Sequence, residues 1–291
     1  MKLIVLAAAC LLITAGITSN VPARTLVVPA EFAQVSDAIR EAVYGDTILV
    51  HPGRYRVQER LRSGVKLLSV KGPDSTILWN RRWYILKLID CDMETVVSGF
   101  TFAGKGSNIC VACTTGAPSI LDNVIKDSWD GISLYRCNAY IKGNRITGCN
   151  RGIDMDRSDP EIVENEFFRN GDALSIVSSS PIIARCTFDR NSRAILILGH
   201  SYPTIGGSLN TANDILKNGY TIYNAGLRIE GTSYTDKPEV AVATYNYWGS
   251  DCPDEKRMRG EVVIRPWTNA AHDTLYEECP QQAQETRPEE Q

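Results

Sequence analysis

Asp154 and Asp156 are the residues of this chain best placed to do chemistry. They alternate with Ile153 and Met155, and a period of two puts both carboxylates on one face of an extended strand and the apolar side chains on the other. Two such carboxylates stand roughly 7 Å apart. That separation suits a general acid and a general base flanking a glycosidic bond with water between them, or two oxygen ligands sharing a Ca²⁺ ion. The plainer reading is a solvated acidic face. Arg151 and Arg157 bracket the pair and can either hold an acidic sugar or neutralise the aspartates. Trp129 and Tyr135 flank a similar strand upstream, and sugar rings stack on exposed aromatic faces. Trp129 has no evident aromatic equivalent elsewhere, so core packing explains it poorly. Trp79 and Trp83 read instead as packing within an earlier part of the chain.

These residues are positioned by a repeat. Residues 118–138, 139–159, 160–180 and 181–201 align as four 21-residue units. Ile120, Ile141, Ile162 and Ile183 share one phase; Ile125, Ile146, Phe167 and Phe188 share a second. Ile132, Ile153, Leu174 and Ile195 share a third, followed two residues on by Leu134, Met155, Ile176 and Ile197. Upstream the interval is 23: Val97, Phe102, Ile109 and Val111 precede Ile120, Ile125, Ile132 and Leu134, and Leu86 and Leu88 precede Ile109 and Val111. Downstream, Ile205, Ile215, Leu227 and Ile229 continue the pattern after a longer insertion.

Apolar residues two apart mark short strands with one buried face, and three clusters per unit mean three strands joined by turns. Twenty-one residues are too few for a helical crossover between parallel strands. One coil cannot bury its apolar face alone, so coils must stack, about 4.8 Å apart, into a continuous core. The predicted fold is all-β: a single-stranded right-handed parallel β-helix, with three short strands per coil of 21 to 23 residues. Alternation along the third strand sends Ser133, Tyr135, Asp154, Asp156, Ser175, Val177, Leu196 and Leu198 outward.

Other columns read as structural. Asn123, Asn144 and Asn165 share a phase, with Cys186 in the fourth place; asparagine tolerates the left-handed backbone of a tight corner, and stacked amides hydrogen-bond along the axis. Asp130, Arg151, Asp172 and Arg193 alternate in sign at intervals of 21, as a ladder of ion pairs would, which weakens the case for Arg151 as a substrate residue. Cys91 and Cys137 share a phase with Cys113 one residue off it between them, so either can reach Cys113; Cys252 and Cys279 can tie down the C-terminal segment, and Cys110, Cys149 and Cys186 fall at different corners. Cys110 and Cys113 have a redox spacing but no helix N-terminus to activate it. His51, His200 and His272 are scattered, so no zinc site is expected.

Residues 1–23 have the form of an export signal: Lys2, a run of apolar residues too short to span a bilayer, and small residues before a cut after Ala23. The protein is therefore expected outside the cytoplasm, secreted, periplasmic or on the cell surface, with no membrane span. One β-helix domain is expected over residues 24–279, capped by an amphipathic helix at about residues 33–43 with Ser36 as its N-cap and closed at the far end by residues 245–267. The polar tail, residues 280–291, is expected to be disordered. A net charge of −3 gives no reason to expect nucleic acid as a partner.

The opening stretch Thr25-Leu-Val-Val-Pro-Ala30, then Ala38-Ile39, then Gly45-Asp46-Thr47-Ile48-Leu49-Val50-His51-Pro52-Gly53-Arg54-Tyr55, resembles that of secreted pectin lyase-like β-helix proteins. Asn246-Tyr247-Trp248-Gly249 resembles the motif that often closes such helices. The resemblance implies the fold, and it implies that a glycan would lie along the outer face of the column containing Asp154 and Asp156. It carries over no catalytic residue. Gly199-His200 is followed by Ser201 where polygalacturonase-like enzymes have glycine, and Arg185 and Arg190 do not reproduce the pectate lyase arginine motif. Three functions follow in order. The first is binding, with or without cleavage, of a polysaccharide. The second is a non-catalytic adhesion or structural role. The third is a copper-site maturation β-helix, for which His and Met clusters are wanting.

Overall fold

The computed structural model describes residues 22–106, 108–225 and 239–280. Most of the predicted leader, the predicted tail beyond Pro280, and Leu227 and Ile229 lie outside them.

The chain winds into a parallel β-helix. Successive strands are dealt in turn to three sheets of 11, 8 and 9 strands, and within each sheet every neighbour comes from the adjacent coil. The first sheet begins with Thr25–Val28 and Thr47–Val50 and runs through Ser119–Leu121 to Val262–Val263; the second runs from Gly53–Arg56 to Asp214–Ile215; the third, from Glu59–Leu61 to Met258–Arg259, carries the long strands Asp130–Cys137, Arg151–Asp156, Asp172–Val177 and Arg193–Leu198. The 21-residue phases are observed registers. Ile120 pairs with Ile141, Ile146 with Phe167, and Ile132 with Ile153, which in turn pairs with Leu174. All these side chains are fully buried, and Phe167 and Phe188 stack face to face at 4.9 Å. Each buried aliphatic side chain contributes about 1.5–3 kcal/mol.

Two registers differ from the sequence alignment. Upstream, Val111 rather than Ile109 pairs with Ile132, and Leu86 and Leu88 pair with Val111 and Cys113. The two extra residues sit in the turn before the strand Ile109–Gly116, where they leave the alternation intact; residue spacing alone cannot say on which side of a strand an insertion falls. Downstream, Ile222 occupies the place over Ile195. Ile222 is separated from Ile195 by 27 residues because the intervening turn is longer.

The asparagine column is a ladder, but these asparagines are not the left-handed residues. Positive φ belongs to the residue before each: Asp122, Gly143, Glu164 and Arg185. Each asparagine instead turns inward. Asn144 Oδ1 accepts from the backbone N–H and side-chain amide of Asn123 at 3.0 and 3.1 Å, and its own amide donates to Ile120 O at 2.9 Å. The ladder continues through Cys186 and Asn213 to Asn246, so the closing motif contributes its last rung. A second ladder, Asn170 to Asn191 to Asn218, runs along the next corner.

The capping helix is Val35–Glu41, shorter than expected. Gln34, not Ser36, occupies the N-cap, because the chain is already helical at Val35 and Ser36 falls in the first turn. Val35, Ala38, Ile39 and Ala42 are buried over the first coils, while Val43 is exposed. At the other end Trp248 and Trp267 are buried, and a disulfide joins Cys252 to Cys279. Cys113 pairs with Cys137; Cys91 stays a buried thiol. Cys91 and Cys137 do share a register, flanking Gly116, but Cys113 lies three positions from it rather than one.

Candidate functional site

The third sheet presents its outer face in columns. Lys87, Ala112, Ser133, Asp154, Ser175, Leu196 and Tyr223 form one, and Tyr135, Asp156, Val177 and Leu198 another. Asp154 and Asp156 thus share a face. Not every outward position is open: Ser175 is 3% and Leu196 7% exposed. The accessible floor is the stretch from Lys87 to Asp154, where Ala112 and Ser133 are small.

Asp154 is committed to a fixed cation. Arg151 Nη1 donates to its Oδ1 at 2.7 Å, while Arg151 Nε and Nη2 grip Asp130 at 2.6 and 2.9 Å. Arg193 grips Asp172 in the same two-pronged way. Burial disfavours the Arg151 charge, but the hydrogen bond to Asp130 and the charges of Asp154, Asp130 and Asp172 outweigh it and raise its pKa. All three nitrogens of Arg151 are therefore occupied by this chain's own carboxylates. Asp156 is more open, with Arg157 Nε 3.7 Å away. Arg157 also donates to Tyr135 Oη at 3.4 Å, and Arg136 and Arg157 lie over the Tyr135 ring at 5.3 and 6.0 Å. Among the described residues no group of three or more His, Cys, Asp or Glu side chains is placed to hold a metal ion. A Ca²⁺ between Asp154 and Asp156 would have no third such ligand.

The aromatic residues are arranged differently from the sequence reading. Tyr84, Ile109 and Asp130 are in register, so Trp83, Asn108 and Trp129, which precede them, occupy one corner in consecutive coils. The corner is continuous: Ile109 N donates to Trp83 O, Trp129 N to Asn108 O and Arg151 N to Trp129 O. Trp83 is 76% and Trp129 51% exposed. Trp129 thus has an aromatic equivalent two coils away, and Trp83 does not pack in the core. The numbering carried the signal, since 83 and 129 differ by two intervals of 23. Trp83 also holds φ +50°, a left-handed backbone unusual for so bulky a residue.

Further along the corner the residues shrink. Asn150, Gly171 and Ser192 open a cavity of about 420 Å³, walled by Asp172, Arg193, Tyr220 and Tyr223. Tyr220 and Tyr223 meet edge to face at 5.5 Å, and Arg193 lies over the Tyr223 ring. Tyr220 and Tyr223 escaped the sequence reading because the longer insertion hid their phase.

A family model, right-handed β-helix region, matches residues 83–238. The chain belongs to the right-handed β-helix family. No curated protein matches this sequence. Among solved structures, ORF18 of Geobacillus virus E2 is similar over 80% of this chain and 57% of its own length, at 14% identity and a TM-score of 0.50. The β-helix thus spans a little over half of that viral protein. An alginate lyase from Paenibacillus sp. str. FPU-7 is similar over 77% of this chain and 86% of its own, at 15% identity and a TM-score of 0.45. Pectate lyase Pel9A is similar over 85% and 79%, at 11% identity and a TM-score of 0.43. At such identities the likeness is one of fold.

Proposed function

We propose that this β-helix binds a polysaccharide along the outer face of its third sheet and the adjoining tryptophan corner. The observation that carries the reading is the pair Trp83 and Trp129, exposed on one corner two coils apart. Two coil intervals set them roughly 10 Å apart. Flat aromatic faces at a fixed spacing along a rigid axis suit a ligand that repeats, as a chain of sugar rings does. Beside them lie a low polar floor and, further along, the cavity edged by Tyr220 and Tyr223. Arg136, Arg157 and Tyr135 border the floor on its other side. Glycan binding also accords with a place outside the cytoplasm, where two disulfides would persist.

Binding is preferred to cleavage because Asp154 is held by Arg151, leaving Asp156 as the one open carboxylate of the pair. The test is a glycan panel with the native protein and with Trp83→Ala and Trp129→Ala. Retention of a polysaccharide that both variants lose supports the reading; native binding that survives both changes overturns it. Running the panel with and without Ca²⁺, while following reducing ends and unsaturated uronates, decides on cleavage. Product that disappears in Asp154→Asn or Asp156→Asn would convert the binding face into an active site.

A further inference from the structure

Three consecutive strands of the third sheet, Tyr84–Cys91, Ile109–Gly116 and Asp130–Cys137, end at one corner, with Cys91, Gly116 and Cys137 in register. In the coils that follow, serine holds this place. Cys137 N donates to Ser158 Oγ at 3.1 Å, Ser158 N to Ser179 Oγ at 2.9 Å and Ser179 N to Ser201 Oγ at 3.1 Å, so the hydroxyls form a ladder. Ser158 and Ser179 also donate to the carbonyl two residues back, Asp156 O and Val177 O. The Cys91 thiol makes the equivalent bond, to Ile89 O at 3.7 Å. A reduced cysteine at this corner therefore takes the part of a ladder serine and is satisfied without a disulfide.

Cys113 lies on the middle strand, paired with Leu88 on one side and Leu134 on the other. Cys91 stands three residues beyond Leu88, and Cys137 three beyond Leu134. The two are thus equivalent neighbours of Cys113, one coil away in each direction. Cys113 is bonded to Cys137, with their Cα atoms 6.1 Å apart, and Cys91 is a buried thiol. Cys91 and Cys137 are two coils from one another, roughly 9.6 Å, whereas a disulfide bridges Cα atoms no more than about 7 Å apart. Cys113 is therefore the partner they share, and one of them can hold it at a time. Gly116 keeps the place between them free of a side chain; a Cβ there would lie 2.0 Å from Cys91 O. A surface cavity of about 470 Å³ adjoins the corner, lined by Asp90, Cys91, Asp92, Met93, Gly116 and Ala117.

We propose that Cys91, Cys113 and Cys137 form a disulfide exchange station. Cys91 gives up its proton to solvent and attacks Cys113 Sγ; a Cys91–Cys113 bond forms, the Cys113–Cys137 bond breaks, and Cys137 leaves as a thiolate that takes up a proton. The number of disulfides is unchanged, so no oxidant is consumed. The attacked sulfur belongs to the middle coil, with the attacking and leaving cysteines on opposite sides of it along the axis, the in-line order that exchange requires. The two bonds close loops of similar length, 22 and 24 residues, so chain entropy favours neither. Whichever cysteine is freed meets the serine-like setting of the ladder. Burial raises the Cys91 thiol, with Asp92 adding to the effect and the Thr95 hydroxyl, the Ile89 backbone and Arg60 opposing it, so thiolate is scarce and exchange is slow at neutral pH. The outcome is a staple that moves by one coil, from the end of Asp130–Cys137 to the end of Tyr84–Cys91.

The test uses the full folded chain held in a mildly alkaline glutathione redox buffer, then quenched with acid, alkylated and mapped by tryptic peptides. Cys91, Cys113 and Cys137 fall on three different peptides, so each bond is read directly. About a tenth of the molecules or more should carry Cys91–Cys113 at equilibrium. Cys137→Ser, which extends the serine ladder, should fold and form Cys91–Cys113 on oxidation, with a thermal midpoint close to the native one. Cys91→Ser should hold Cys113–Cys137 alone. Absence of Cys91–Cys113 from the equilibrated native protein would overturn the proposal, whether or not Cys137→Ser folds. So would a folded Cys137→Ser whose Cys91 and Cys113 both stay reduced. Bonds to Cys110, Cys149 or Cys186 appearing as often as Cys91–Cys113 would also overturn it, since they would mean scrambling through the unfolded chain.

Discussion

Arg151 and Asp130, 21 residues apart in sequence, meet through two parallel hydrogen bonds across adjacent coils, Nε to Oδ1 at 2.6 Å and Nη2 to Oδ2 at 2.9 Å. Asp130 is 3% exposed, so the arginine is the partner that makes its charge tolerable. Arg151→Met should therefore destabilise the protein by about 2–3 kcal/mol, somewhat less than a fully buried pair because Arg151 remains partly in solvent. Asp130→Asn in the same chain should restore much of that loss. Urea unfolding of the two variants and the native protein measures both effects, and equal midpoints for all three would deny the pair any structural role.

Acid should act through Asp46. Its side chain is buried and its carboxyl is held down to about 2, chiefly by the hydrogen bond from the Arg24 guanidinium, with the Val43 and Arg24 backbone N–H groups also donating. The folded value lies below the ordinary 3.8, so the contribution is complete above about pH 4 and is lost as pH falls toward 2. Asp46→Asn should be less stable than the native protein at pH 7 but should lose less between pH 4 and pH 2. Unfolding midpoints at three pH values decide it. If export cuts after Ala23, the Arg24 nitrogen becomes an ammonium 2.8 Å from Asp46, and the mature protein should show this residue first by intact mass.

Cys186 stands in the asparagine ladder as a thiol, donating to Ile162 O and Ala184 O at 3.4 Å. Cys186→Asn supplies the amide that neighbouring coils use at this place, and should raise stability by about 1 kcal/mol. The reverse change, Asn144→Leu, strands the Asn123 N–H and should cost about 2 kcal/mol. Denaturant midpoints read both. Burial pushes the Cys186 thiol up to about 12, so an alkylating reagent at pH 8 should leave it unmodified until the chain unfolds.

Trp83 and Trp129 should matter for ligand and not for folding. Each is exposed at a corner, so replacement by alanine should move the unfolding midpoint little and weaken glycan retention by about 1 kcal/mol apiece. Calorimetry on the native protein and the double variant checks both halves of the statement.

The residue pattern by itself determined the architecture. Apolar side chains two apart, recurring every 21 residues, have only the stacking of coils in which to bury, and the sheets follow from that necessity. The ion-pair ladder was legible for the same reason, because residues one coil apart in sequence are neighbours in space. What the pattern left open was register wherever a turn changes length. Periodicity counts residues but not the side of the strand on which extra ones fall, so the 23-residue interval sets Ile109 over Ile132 where the folded chain sets Val111. It also left open which polar groups are engaged. Asp154 and Asp156 look alike in sequence; only the folded chain brings Arg151 onto the first and leaves the second open. Local alternation specifies which face a side chain occupies, whereas its accessibility and its partners are properties of neighbouring coils, and those are assembled only in three dimensions.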